Sequence, residues 1–368
     1  MLVITRRLAA ALAGVVIVAL AGCSVPGHGS TTPAPTVADG RPLAELDLVA
    51  DPRGYVGPSS AVLADEAIEP VDEDPAQTLP ATVVSRDPGG DVEVEVDDTS
   101  AVIGLDMAGS IAATIWGLGL GETLVGRDIS TTFPGAADLP VVTSGGHAID
   151  AESVLALRPT LVITDGSIGP RDVLIQLREA GVAVVFVDND SSFDGAVDLA
   201  RAVAAALGVP DAGELLAERI RAEVDAKIAE IAAIAPTAEA DRVRMMFLYL
   251  RGGSGVYYLF GEESGADDLI RGLSGVDVAG EIGWTGMQPM TDEAIIAANP
   301  DLILVMTDGI ASAGGVDGLL AAKPAIGLTA AGQNKRFVDM ADGDILSFGP
   351  RSAAVLDALA RAIYAPTS

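Results

Sequence analysis

Beyond about Val92 the chain alternates short runs of Val, Ile and Leu with longer stretches whose apolar residues recur at helical spacing. Short apolar runs bounded by turn residues suit buried strands, and strands alternating with amphipathic helices specify α/β architecture with mostly parallel sheets. The pattern predicts strands over Leu139–Thr143, Thr160–Thr164 and Ala183–Val187, and helices over Ala151–Leu157 and Val173–Ala180. Two longer helices follow, Phe193–Leu207 and Ala212–Ala235, and the second is long enough to span about 30 Å. After Pro236 the alternation restarts with a strand at Val243–Leu250 and runs to Ile363. The restart carries an echo: the segment Asp150–Asp165 parallels Thr291–Met306, with Glu, Pro and Leu at matched offsets (Glu152/Glu293, Pro159/Pro300, Leu161/Leu302). Two similar units joined by a long helix predict two lobes with a ligand cleft between them.

Ahead of this pattern the chain reads differently. Arg6 and Arg7 precede an apolar run, Leu8–Leu20, followed by Ala21, Gly22 and Cys23: a secretory signal over residues 1–22, short for a membrane span. Residues 23–90 show no stable period and are rich in Pro, Gly, Thr, Asp and Glu, which predicts a disordered acidic tether with His28 as a solvated residue in it. The predicted organisation is completed by an N-terminal α/β lobe over 91–207, an interlobe helix over 208–236 and a C-terminal α/β lobe over 237–368.

Composition narrows the chemistry. With 22 Lys+Arg against 52 Asp+Glu the formal net charge is −30, which opposes binding to nucleic acid through bulk electrostatics. One Cys allows no intrachain disulfide, and one Cys with two His allows no Cys/His zinc cluster. No Gly-x-Ser-x-Gly elbow and no P-loop occurs, so neither hydrolase nor nucleotide chemistry is indicated, and the chain reads as no enzyme.

His147 is the one histidine of the folded part, on a Gly-rich turn before a helix that Asp150 caps, at the end of a strand where open α/β sheets gather ligands. A lone His is either a packed surface residue or a ligand, and the sequence alone leaves both open. Tyr249 closes an apolar strand, and Arg251 lies two positions on, on the same strand face; a guanidinium there could stabilise a phenolate, or the pair could be an edge Tyr beside a solvated Arg. Tyr257 and Tyr258, beyond the Gly252–Gly255 turn, are rivals; Met287 and Met290 are either cleft-lining or core; Arg127, Arg171 and Arg351 sit in loops suited to meeting an anionic ligand. Glu152 and Glu293 occupy equivalent first-turn helix positions, where complementing the helix dipole would explain them.

Leu20-Ala21-Gly22-Cys23 resembles the bacterial lipobox. Ser110–Arg127, Leu139–Val142 and the echoed segments resemble class III substrate-binding proteins of ABC importers, the family with two Rossmann-like lobes joined by one helix. Within that family, Ser144–His147, Asp165–Pro170, Phe247–Gly252, Tyr258–Asp267, Gly283–Met290 and Ser347–Arg351 are similar to segments of haemin-binding lipoproteins of actinobacterial haem importers. The resemblance implies an extracytoplasmic monomer lipidated at Cys23 and anchored to the cell membrane. It implies haem b as transported ligand, held axially by His147 and Tyr249 with Arg251 in support, and docking on a permease, served by a separate ATPase subunit, through Glu152 and Glu293. A ferric siderophore or cobalamin carrier is the alternative, and a haem enzyme the third reading.

Overall fold

The computed structural model describes residues 40–144 and 146–366, and the backbone of 35–37; the signal segment, Cys23 and His28 lie outside the described residues. The chain enters through two short strands, β1 (Pro35–Val37) and β2 (Ser59–Val62), and a hairpin of β3 (Ala81–Ser85) with β4 (Val92–Val96). Then come β5 (Val102–Leu105), α1 (Ser110–Gly117), β6 (Leu124–Arg127), the brief pair β7 (Thr143–Ser144) and β8 (Ala148–Ile149), α2 (Ala151–Ala156), β9 (Leu161–Thr164), α3 (Arg171–Glu179) and β10 (Ala183–Phe186). Helices α4 (Phe193–Ala206) and α5 (Pro210–Ile234) lead to the second lobe: β11 (Arg244–Arg251), β12 (Val256–Phe260), α6 (Ala266–Gly272), β13 (Val276–Asp277), α7 (Val278–Glu281), β14 (Met287–Pro289) and α8 (Asp292–Ala298). It closes with β15 (Leu302–Met306), α9 (Thr307–Ser312), α10 (Gly315–Ala322), α11 (Ala330–Gln333), β16 (Phe337–Met340) and α12 (Ser352–Tyr364).

The N-terminal sheet has the order β10-β9-β5-β6 with every pair parallel, and its strands β5 and β9 are buried at all four positions, as unbroken apolar runs require. The C-terminal sheet has the order β1-β2-β16-β15-β11-β12-β14, with β13 beside β11; it is parallel through β11 and antiparallel from β12 outward. The echoed segments fold alike. In each, a side-chain cap (Asp150, Thr291) opens a helix, a left-handed residue (Arg158, Asn299) ends it before a proline, and a strand follows (β9, β15).

Three expectations are corrected. The strand at Leu139–Thr143 is mostly irregular chain, with one bridge from Val141 to Arg127, and only Thr143–Ser144 pairs as strand. Tether composition does not keep residues 40–90 out of the fold: β2 joins the C-terminal sheet beside β16, Leu43, Leu63 and Ile68 are buried, and Ser85 at the end of β3 lies under the N-terminal lobe. The lobe boundaries shift accordingly, because the first strands of the chain belong to the last lobe's sheet, while the N-terminal lobe takes in the β3–β4 hairpin. These segments are short and borrow a ready-made sheet edge, so they need no periodicity of their own.

The predicted interlobe helix is α5, 25 residues opened by Pro210 at its first turn. Its apolar stripe of Leu216, Ala217, Ile220 and Val224 is buried, in a core that includes both α4 and α12. That core runs without a break from Ile111 and Leu161 in one lobe to Phe247 and Leu304 in the other. The lobes also meet through loops. A Cβ on Gly343, just after β16, would come within 2.4 Å of Thr132 Oγ1, in the loop after β6, and Phe348 packs edge-on against Phe193 at 5.2 Å. The carboxyl ends of both parallel sheets therefore open onto one groove.

Candidate functional site

On the N-terminal side of the groove the loop after β6 is set by Asp128, whose carboxylate accepts the Ser130 and Thr131 N–H groups, at 2.7 and 2.9 Å. Ile129 N–H then donates to Thr143 Oγ1 at 3.0 Å, tying this loop to the β7–β8 hairpin. The hairpin is fastened again where Ile149 N–H donates to Gly169 O and Asp150 N–H to Val142 O. Its tip carries Gly146 and His147, both left-handed, with φ of 84° and 72°. Histidine tolerates that region better than most side chains, but at a cost of order 1 kcal/mol or more. The His147 ring is half-buried, and among the described residues its buried Nδ1 has no hydrogen-bond partner. Burial, and secondarily the charge of Arg251 from the other lobe, hold its pKa below the usual imidazole value. The ring is thus kept neutral, the form in which imidazole ligates a metal.

Deeper in the same lobe Asp106 and Asp128 are both fully buried, with the Asp106 N–H turned toward Asp128. Burial raises both carboxyls, and a neighbouring carboxylate raises each further: Asp165 acts on Asp106, and Asp106 on Asp128. Asp106 fixes the entry to α1 by accepting from the backbone of Ser110 and Ile111 and from the Ser110 hydroxyl.

On the C-terminal side, the sheet register sorts the tyrosines. Tyr249 on β11 stands directly opposite Tyr258 on β12, so the two share a face, and both pack against the core that joins the lobes. Tyr257 stands opposite Leu250 on the other face, under Lys323 at 4.5 Å, and so does not join Tyr249 as a cleft candidate. Tyr249 stacks near Phe260, with centroids 6.1 Å apart. The Arg251 guanidinium carbon lies 4.7 Å from the Tyr249 ring centroid, over the ring. Arg251 Nη1 donates to Leu250 O at 3.0 Å and Nη2 to Asp342 Oδ2 at 2.9 Å.

The remaining candidates divide. Met287 pairs with Phe260, on the Tyr249 face, and is 55% exposed, as a groove-lining residue would be. Met290 is buried in the outer core of the C-terminal lobe, away from the Tyr249 face. Arg351 is 7% exposed and paired at 2.8 Å with the equally buried Asp344, over Phe133, so its charge is committed to the lobe joint rather than to a ligand. Arg127 Nη1 is held by Thr131 O at 2.9 Å. Arg171, by contrast, is exposed at the start of α3. Glu152 and Glu293 are both exposed, each at the second position of its helix. Asp342 was not singled out by sequence reading, although its place just after the C-terminal end of β16 was the available signal.

Among the described residues no three His, Cys, Asp or Glu side chains converge as a metal cage. One imidazole and one phenol stand on different lobes, the phenol under Arg251 and the imidazole within reach of its charge. A cavity of about 780 Å³ bounded by Arg53, Asp301, Ile234 and Tyr364 contains none of these residues.

Residues 107–342 match the family described as periplasmic binding protein. The structure of heme binding protein HmuT is 40% identical, covers 86% of this chain and 99% of its own, and superposes with a TM-score of 0.79. HmuT is also solved as single alanine variants of an arginine, a histidine and a tyrosine. The uncharacterized ABC transporter substrate-binding lipoprotein YvrC of Bacillus subtilis (strain 168) is 27% identical over 197 residues, 53% of this chain and 60% of its own length. A cobalamin-binding protein of Halobacterium salinarum is 26% identical over 273 residues, 71% of this chain and 68% of that one.

Proposed function

The chain belongs to the periplasmic binding protein family, and from that premise we propose that it captures ferric haem outside the cytoplasmic membrane and delivers it to an ABC importer. The family is one of binding proteins, and the role is that of a carrier rather than an enzyme. The observation that carries the reading is the pairing across the groove: His147 on one lobe, the Tyr249/Arg251 pair on the other, with Arg251 lying over Tyr249 and its charge also reaching His147. The variants solved for HmuT support it, since the tyrosine and arginine replaced there are two positions apart, as Tyr249 and Arg251 are.

In this reading the neutral His147 imidazole and the Tyr249 phenolate are the axial ligands. Arg251 offsets the phenolate charge, and Met287 and Tyr258 flank the macrocycle from the Tyr249 face. Of the three candidate arginines, exposed Arg171 is the one to meet a propionate. Glu152 and Glu293 present one carboxylate per lobe to basic residues of a permease, and a separate ATPase subunit drives transport. A lipid on Cys23 would hold the monomeric protein at the membrane.

Haemin titration of purified apo-protein tests this. A saturable Soret band should appear with the charge-transfer feature of phenolate-bound ferric iron, and that feature should vanish in Tyr249→Phe. If no band grows, or the spectrum is unchanged in both Tyr249→Phe and His147→Ala, the assignment fails. The cobalamin-binding relative motivates a parallel titration with cobalamin; saturation by cobalamin and not haemin would give the groove to that ligand instead.

A further inference from the structure

The least explained contact in the groove is the one behind Arg251. Asp342 divides its carboxylate between two donors: Oδ2 accepts Arg251 Nη2 at 2.9 Å, and Oδ1 accepts the Asp308 backbone N–H at 2.9 Å. Each oxygen has one partner, so the carboxylate is pinned to the start of α9 and in turn pins the guanidinium. Gly309 completes the niche. A Cβ there would stand 2.9 Å from Leu250 O, the carbonyl that holds Arg251 Nη1, and 3.3 Å from Nη1 itself, so this position accepts a side chain only if Arg251 or its strand moves. Three elements, β11, α9 and the loop after β16, thus confine a side chain that otherwise has many rotamers.

We propose that Asp342 is a positioning residue for haem ligation: by fixing Arg251 over Tyr249 it sets the strength of the tyrosinate–iron bond and the residence time of the haem. The inference rests on the haem reading above and adds to it a residue that touches neither iron nor Tyr249. The ion pair is partly exposed, with side chains 35% and 23% accessible, and pairs of that kind contribute little to folding. Its conformational effect on Arg251 is therefore separable from stability.

Asp342→Asn makes the test sharp, because the amide keeps an oxygen at one of the two accepting positions and puts an NH2 at the other, where it faces a donor. The ferric haem complexes of wild type, Asp342→Asn, Arg251→Ala and the double variant are compared by absorption spectrum and by haem loss to apomyoglobin, alongside thermal melting. Asp342→Asn should keep its Soret band and melting midpoint, move the charge-transfer band toward its position in Arg251→Ala, and lose haem about tenfold faster, the effect expected for one charge-assisted hydrogen bond. In the Arg251→Ala background the same substitution should change nothing. Gly309→Ala, which keeps every charge, should move the band in the same direction. Wild-type band and loss rate in Asp342→Asn overturn the inference alone, as does an undiminished effect without Arg251. A wild-type protein that raises no Soret band overturns the haem reading and this inference together.

Discussion

Arg336 offers a direct test of how the first strands are held to the last lobe. It is fully buried, and among the described residues no carboxylate acts on it. Its Nη2 donates to Ala362 O at 2.9 Å and Ile363 O at 3.2 Å, at the C-terminal end of α12, and Nη1 donates to Ser59 Oγ at 2.8 Å and Gly57 O at 3.3 Å, at the start of β2. Tyr55 covers the guanidinium at 4.6 Å. Hydrogen bonds from a charged donor contribute about 1.5–3 kcal/mol each, so these four, two of them long, sum to roughly 6 kcal/mol. Against that, burial lowers the pKa from its ordinary value to about 10, equivalent to about 3 kcal/mol against the charged form. Arg336→Met, which keeps the stem and removes the head, should therefore destabilise the protein by about 3 kcal/mol, the difference between the two terms. Urea unfolding followed by tryptophan fluorescence measures it as a lower midpoint. A lower slope as well would mean that residues 55–62 detach before the rest, since the slope follows the surface exposed on unfolding. An Arg336→Met protein as stable as wild type would refute the reasoning, because desolvation would then cancel the four contacts.

Other outcomes follow from the same geometry. A chain starting at residue 91 loses β2 and the burial of Leu43, Leu63 and Ile68, about 1.5–3 kcal/mol per side chain, and should be unfolded or insoluble. Asp106 and Asp128 hold their protons more tightly folded than unfolded, Asp128 up to about 7, so their contribution is complete below the ordinary carboxylate range and is lost as pH rises toward 7. His147, lowered, acts in the opposite sense but is one group against two; melting midpoints should be higher at pH 5.5 than at pH 8, and equal midpoints would contradict the buried pair. His147→Gly should abolish the histidine's contribution to the haem spectrum yet be at least as stable as wild type, while His147→Ala keeps the left-handed strain and gains nothing. Reversing Glu152 and Glu293 to Lys should reduce haem import in cells and leave haemin titration of the purified protein unchanged.

Much of this was legible along the chain because local sequence decides it. Unbroken Val/Ile/Leu runs marked β9 and β10, the sustained apolar spacing marked α5, and the echo located two helices whose caps and left-handed ends coincide. The turn that carries His147 was legible because Gly146 and the Asp150 cap bracket it, but the strand expected before it is the short β7–β8 hairpin instead. What escaped depends on partners far away in sequence. Residues 40–90 look like a tether until β16 offers them an edge, and Arg336 reads as a surface charge in Gln-Asn-Lys-Arg until Gly57 and Ala362 surround it. The alternation rule put one of Tyr257 and Tyr258 inward without saying which; pairing with Tyr249 decides it. Arg351 and Asp342 were misjudged or passed over for the same reason, since a loop residue does not announce its counter-ion.

The unbroken core through α5 has a kinetic meaning for a carrier. Lobes that share one core through Leu216 and Phe247, with Arg351 of one lying over Phe133 of the other, cannot swing far apart, so binding need not wait for a closing step and departure need not wait for an opening one. Capture would then run at the encounter rate, and how long the cargo stays would be written in its bonds to a few side chains rather than in the lifetime of a shut door. A receiving protein gains nothing by prising the lobes open; it has to compete for those bonds one by one.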